Sequence, residues 1–426
     1  MLNARNVMNS FINLSKTKTA KQTGVLYGSQ ISAMALGLIT APIVTRVLGP
    51  EKYGILAFIL AVISFISLFF EFGFFSAGAR LLAISKEKEK DQELIGSLTI
   101  ITVGISLSFF LIIFIFSFFI DSIFHTTAGD ILRTVSILAA IIPFQYMLQQ
   151  VCQGTNEIKK MAIANIIPKL WYLAGLLIAV SFLKLNVFVV LVLNFTGIIL
   201  TAGLIILSLK PKFDHLKENF RMIWKETKDY GRHVYFGRIA SMATYDSDKI
   251  LISYFSGTTD VGFYSLAMIL INPMFIFSSS LSTSLFKEFV KKKKVPKKVV
   301  YFNFLWLLFS CAGLIIFGKW IVILLFSVKF INVYPILIVL TFANLFRGLT
   351  QPYNKFLGAK GEGKALRNTA VILTICNLLG NLTLIPFWGA IGAAYASLFA
   401  LMVNYFGHIY YYHIYLNTLY NEGTSK

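Results

Sequence analysis

About twelve long apolar stretches fill this chain, and Lys and Arg gather in every other segment between them. A stretch of about 20 such residues crosses roughly 30 Å of hydrocarbon at about 1.5 Å per residue. Lipid offers no partner to an exposed backbone amide, so these spans must be helices. The sequence therefore predicts an all-α polytopic membrane protein. Its spans fall near residues 24–45, 54–73, 98–120, 131–153, 162–183, 187–209, 233–255, 261–286, 299–320, 331–356, 366–387 and 389–412.

The cations fix an expected orientation. One set of segments carries Arg5, Lys16, Lys18 and Lys21, then Arg80, Lys86, Lys88 and Lys90, then Lys159 and Lys160. The same set continues with Lys210, Lys212, Lys217, Arg221, Lys225, Lys228 and Arg232, with Lys287, Lys291 to Lys294, Lys297 and Lys298, and with Lys355, Lys360, Lys364, Arg367 and Lys426. The opposite side holds only Arg46, Lys52, Lys184, Lys319 and Lys329. That is about 29 against 5, and positive residues stay inside. Both termini are then expected in the cytoplasm. Met1 to Lys21 is polar and basic, without the apolar core of a cleavable signal peptide.

Composition excludes other classes. Of 426 residues, 57% are hydrophobic and 14% charged, against about 25% charged in soluble domains. Little chain remains for a soluble catalytic domain, so an enzyme is not expected. The net charge of +20 does not point to nucleic acid, because the cations sit in loops between spans. Anionic inner-leaflet lipids are the partner such loops fit. Cys152, Cys311 and Cys376 share no CxxC spacing and read as small buried hydrophobes.

The chain also repeats. Gly49-Pro50-Glu51-Lys52-Tyr53-Gly54 opens the second span, and Gly257-Thr258-Thr259-Asp260-Val261-Gly262 opens the eighth, 208 residues later. Gly154 to Lys160, leading to Asn165, is echoed by Gly358 to Lys364, leading to Asn368, at an offset of 204. Six spans per half with the same sidedness means a parallel repeat about an axis along the membrane normal. The expected organisation is an N-terminal six-helix lobe over 1–209, a basic cytoplasmic linker over 210–232 and a C-terminal six-helix lobe over 233–426.

Few spans carry charge near mid-depth, where a charged residue costs at least about 2.5–3.5 kcal/mol. The candidates for an anion-binding site are Arg80, Lys169, Arg238, Lys249 and Arg347. Polar residues on the same or neighbouring spans, Gln145, Gln149, Asn165, Asn344 and Gln351, are the expected lining of a hydrated cavity. The plainer reading of the amides is interhelical glue, at roughly 0.6 kcal/mol each. For Lys249 the plainer reading is an ion pair with Asp246, three residues before it. Glu71, Asp246 and Asp248 are the acids open to coupling with a proton or sodium gradient. The bases outnumber the acids, and arginine grips phosphate bidentately without losing its proton. An anionic cargo follows.

Other motifs fail on inspection. Gly358 to Lys364 satisfies GxxxxGK, but Ala365 follows where a Ser or Thr would hold Mg²⁺, and no strand precedes it. The five histidines show no metal spacing. His408 and His413 are expected at the membrane interface. Pro42, Pro143, Pro168, Pro273, Pro335, Pro352 and Pro386 lie in or beside spans, where each removes a backbone bond and permits a bend.

Arg46-Val47-Leu48-Gly49-Pro50-Glu51-Lys52-Tyr53-Gly54 resembles the segment after the first span of polysaccharide-repeat flippases, the Wzx-type O-antigen exporters. Glu71-Phe72-Gly73 with Ala79-Arg80 is similar to the end of their second span. Asp248-Lys249-Ile250-Leu251-Ile252, then Gly257 and Val261-Gly262-Phe263-Tyr264-Ser265, resembles their seventh and eighth. The resemblance implies the multidrug/oligosaccharidyl-lipid/polysaccharide exporter superfamily, with its MATE-like layout. It implies a bacterial inner-membrane flippase moving an undecaprenyl-diphosphate-linked oligosaccharide outward for O-antigen, capsule or exopolysaccharide assembly, with no resident cofactor. A polysaccharide polymerase and a chain-length regulator are the protein partners it suggests.

Two rivals have discriminating features. A multidrug or cation antiporter on the same fold wants a cavity dominated by acids. A polysaccharide polymerase wants a large external loop, and here those loops run to roughly ten residues or fewer.

Overall fold

The computed structural model describes residues 18–182 and 184–424. Most of the basic stretch Met1 to Lys21 thus lies outside the described residues. Every regular element among the described residues is helical.

Among the described residues, nine helices are long and apolar enough to cross a membrane. Two of them are pairs: Lys18–Ser67 breaks at Gly49, and Gly363–Thr424 breaks at Gly389. Arg232–Ser256 has the length of a span, at 25 residues, with a more polar composition. Counting each pair as two and adding this helix gives the twelve predicted spans. The ends differ in detail. The third span begins at Lys88, not 98, because Glu89 and Asp91 in its first turn favour the positive end of the helix dipole. The fourth is two pieces, Gly129–Ala139 and Ile142–Gly154, the second opened by Pro143, which suits a helix start.

Contacts divide the chain into two compact units that are not contiguous halves. One unit takes the segment up to Ile43, then Ile66–Phe118 and Gly129–Ile239. The other takes Val44–Phe65, Phe119–Ala128 and Ala240 onward.

In the first unit, glycines let backbones touch. A Cβ added at Gly154 would lie 2.9 Å from the Ala79 Cα, so Ile142–Gly154 and Phe74–Ile84 cross with no room for a side chain. The segment predicted as a linker contains the helix Leu216–Glu226. Its inner face, Asn219 and Ile223, is fully buried. Glu93, itself buried, clamps it: His215 Nδ1 lies 3.2 Å from one carboxylate oxygen, and Asn219 Nδ2 donates to the other at 3.5 Å. The Lys212 amide donates to the Gln92 carbonyl at 2.9 Å. Glu89 bonds the Lys212 ammonium and raises its pKa above the ordinary lysine value.

In the second unit the two copies of the repeat meet. Gly49 has φ 76° and ψ 173°, and Gly257 has φ 94° and ψ 169°. This backbone region is open essentially to glycine alone, which explains why both copies carry one. Five residues on, the copies touch. A Cβ at Gly54 would lie 2.7 Å from the Thr259 Cα, and one at Gly262 would lie 3.0 Å from the Gly54 Cα. Around this crossing, Phe330 packs edge-on against both Tyr53 and Phe263, at 6.2 Å each. Arg46 Nε donates to the Leu325 carbonyl at 3.0 Å, and its Nη2 donates to that of Leu324. It thereby satisfies two of the four carbonyls left open at the end of Lys297–Phe326. Arg46, Tyr53, Gly257 and Phe330 all come from segments expected on one side of the membrane.

His408 faces protein. It is buried, with Nε2 3.0 Å from Asn354 Nδ2 and Nδ1 2.8 Å from the Asn404 carbonyl, because a polar ring inside a bundle needs partners on both nitrogens.

Gly54→Leu should lower the thermal unfolding midpoint in detergent, at a cost of about 1–3 kcal/mol or more, as overpacking does. Gly203→Leu, where an added Cβ would meet open space, should leave it unchanged. Equal midpoints for the two variants would refute the crossing.

Candidate functional site

The predicted residues divide by what surrounds them. Three amides are already committed. Asn165 Nδ2 donates to Ser29 Oγ at 3.1 Å, and Asn344, buried, donates to the Ile271 carbonyl at 2.9 Å. Both tie helices together, as the glue reading holds. Gln351 Nε2 bonds the Arg347 carbonyl on its own helix at 3.3 Å.

Gln145 and Gln149 are exposed. Gln150, half-buried, and Gln153, exposed, line a cavity of about 420 Å³ together with Ser76, Arg80 and Tyr230. Gln153 continues the four-residue spacing of Gln145 and Gln149 on the same helix, Ile142–Gly154, and of these three it is the one that reaches the cavity; Gln150 joins it from three residues earlier. Arg80 is ion-paired with Glu226, and its guanidinium lies 5.0 Å over the Tyr230 ring. The linker thus supplies both of its partners. Glu71, nearby in sequence, is buried and accepts from Ser76 Oγ at 3.3 Å.

Arg347 lies 3.7 Å over the Phe275 ring, a cation–π contact strengthened by desolvation. Arg238 and Asp246 belong to Arg232–Ser256, but their side chains lie outside the described residues.

Lys169 and Lys249 are half-buried and make no hydrogen bond or ion pair with any described residue. Lys169 is the more telling. It stands near the middle of Ile158–Phe182, directly after Pro168, which removes one backbone bond. At 1.5 Å per residue it lies about 17 Å from one helix end and about 20 Å from the other. A lysine stem cannot span that distance to reach water at either interface. Lys249, seven residues from Ser256, can lean outward far more easily. The wall beside Lys169 is tight: a Cβ at Gly197 would lie 3.0 Å from the Pro168 carbonyl oxygen.

Asp248 sits in a built polar nest. It is buried, and accepts from Tyr264 OH at 2.7 Å, Asn381 Nδ2 at 2.6 Å and Ser397 Oγ at 3.2 Å. Asn377 extends the network to Ser397 and Asn381 at 3.3 and 3.2 Å. Two hydroxyls and one amide N–H thus converge on a single carboxylate. All three groups donate to the carboxylate, so its oxygens are satisfied by protein. Spacing rules missed these partners, because two lie 133 and 149 residues after Asp248. The signal was Asn377 and Asn381, four apart on one face of an apolar span.

Comparisons place the chain. The family described as "Polysaccharide biosynthesis protein" matches residues 19–291. An uncharacterized membrane protein of Methanocaldococcus jannaschii is 28% identical over 225 residues, covering 50% of this chain and 44% of that one. Less than half the relative's length is therefore matched. Among solved structures, the lipid II flippase MurJ in an inward closed conformation superposes with TM-score 0.72 at 17% identity, over 90% of this chain and 86% of that one. An inward-facing multidrug resistance MATE family transporter of the MOP superfamily gives 0.74 at 15% identity, over 94% and 99%. At such identities the likeness is one of fold.

Removing one donor from a buried carboxylate costs about 1–3 kcal/mol. Tyr264→Phe and Asn381→Ala should each lower stability by that much in thermal unfolding. The double variant should fall short of the sum, because both donors serve one acceptor. Strict additivity would count against a shared network.

Proposed function

We propose a function from one premise: the chain belongs to the polysaccharide biosynthesis protein family. It is a multi-pass membrane protein with the fold of flippases and transporters. Our reading is that it moves an oligosaccharide repeat unit on undecaprenyl diphosphate from the inner to the outer leaflet, by alternating access. The membrane on this reading is a bacterial cytoplasmic membrane with both termini inside. The product feeds O-antigen, capsule or exopolysaccharide assembly, where a polymerase and a chain-length regulator would receive it. The chain acts as a carrier and breaks no bond.

Lys169 carries this reading. An ammonium held at the middle of a span, with no partner among the described residues, costs at least about 2.5–3.5 kcal/mol. A diphosphate would offset that cost on binding, so the anion binds where the protein has left positive charge uncompensated. With the interior negative, moving two negative charges outward runs down the potential and gains about 4.6 kcal/mol per 100 mV, from about 2.3 per charge. The same charge arithmetic disfavours a cation antiporter. Arg80, neutralised by Glu226, is not part of the diphosphate site on this reading. The Asp248 nest is the coupling site in the proposal, holding a proton or sodium ion.

Reconstitution tests both parts. Purified protein in liposomes receives labelled lipid-linked oligosaccharide, and translocation is read by its accessibility to an added glycosidase. Lys169→Gln should slow translocation at least tenfold, while Lys184→Gln, in a loop, should not. Undiminished transport by Lys169→Gln would dispose of the anion site. Asp248→Asn should remove the response to an imposed sodium or proton gradient while leaving slow equilibration. A gradient response that survives this change would end the coupling assignment.

A further inference from the structure

We infer that the cavity beside Arg80 seats an uncharged, hydroxyl-rich sugar ring of the cargo, an inference that rests on the reading of a glycan-bearing cargo above. Its volume of about 420 Å³ lies within the roughly 300–1,000 Å³ typical of small-molecule sites.

Charge comes first. Arg80 is the cation lining the cavity, and Glu226 neutralises it. A phosphate entering here would have to displace a carboxylate or lie against it. A neutral polyol meets no such opposition, and the ion pair offers it both donors and acceptors. Arg80 is also fixed in place, since its guanidinium rests over Tyr230 at 5.0 Å.

Hydrogen-bonding capacity comes second. Gln150 and Gln153 are three residues apart and line the cavity from one helix. Neither side chain bonds to any described residue. Each amide offers one acceptor oxygen and two donor hydrogens. Adjacent hydroxyls on a sugar ring each donate and accept, so they match this pattern as a phosphate, which only accepts, does not. The Tyr230 ring is 39% exposed and adds a flat apolar platform for the C–H face of such a ring. The walls are held by the close crossing of Ala79 and Gly154, so the cavity does not depend on the ligand to form. Sugar and phosphate are thereby assigned to different residues: the neutral cavity to the ring, Lys169 to the charge.

The test uses the full chain in detergent and its thermal unfolding midpoint. Three probes are added: intact lipid-linked oligosaccharide extracted from the producing cells, the free glycan released from it, and inorganic pyrophosphate. The free glycan should stabilise the wild type, and Gln150→Ala/Gln153→Ala should weaken that effect at least tenfold without changing the effect of pyrophosphate. Tyr230→Ala should weaken it too, while Tyr230→Phe, which keeps the platform, should not. The single changes Gln150→Ala and Gln153→Ala stand in if the double variant unfolds alone. Glycan stabilisation equal in wild type and variants would overturn the cavity assignment and leave the cargo reading intact. No stabilisation by intact lipid-linked oligosaccharide, nor by either part, would overturn the cargo reading itself.

Discussion

Hydrocarbon holds no water, and that single fact organises the chain. Backbone amides must bond within each span, so the spans are helices. Side-chain polar groups must bond across spans, so Asn344 reaches the Ile271 carbonyl and His408 finds Asn354 and Asn404. Asp248 gathers three side-chain donors around one carboxylate. Lys169 carries information by its depth: it stands near the middle of its helix, too far from either end to reach water, and has no hydrogen bond or ion pair with a described residue.

The same constraint decides what the sequence could reveal. Span positions are written in local composition, and so they were readable: the twelve stretches recur, with merged helices broken at Gly49 and Gly389. Glycine positions were readable too, since Gly49 and Gly257 occupy a backbone region that strains any residue with a side chain. What was not readable is which polar residue faces which. Gln145, Gln149 and Gln153 recur every four residues on one helix, yet only Gln153 of the three lines the cavity, because the crossing with Phe74–Ile84 comes at the Gly154 end. The nest around Asp248 is assembled from helices far apart in sequence, and no local spacing encodes it. Arg80 looked like a free cation because Glu226, its partner, comes from a linker that hydropathy treats as featureless.

The repeat has a consequence that equivalence of the halves alone would not give. Two copies of one motif could sit far apart, each serving its own half. Here Gly262 of one copy packs on Gly54 of the other, so the helix after Gly49 belongs with Ala240 onward rather than with the rest of its own half. A residue larger than glycine at either position would push the helices apart. Each copy therefore keeps its small residue for the sake of the other. Arg46 follows the same logic, since it caps a helix that ends about 280 residues later.

Neutralisation also sorts the cations by task. A charge paired on a rigid frame, such as Arg80 with Glu226, presents an oriented set of donors with little net field. That arrangement selects by hydrogen-bond pattern. A lone ammonium in a low-dielectric setting presents the opposite, a field with little directional detail. Lysine suits this second role, because its compact charge imposes no planar fork on its guest. A cargo with a variable glycan and an invariant diphosphate would call for both kinds of site. The first must differ between relatives that carry different sugars, and the second need not. On that argument the residues around Gln150 and Tyr230 are where specificity would be retuned, while a cation at the depth of Lys169 would be retained whatever the sugar.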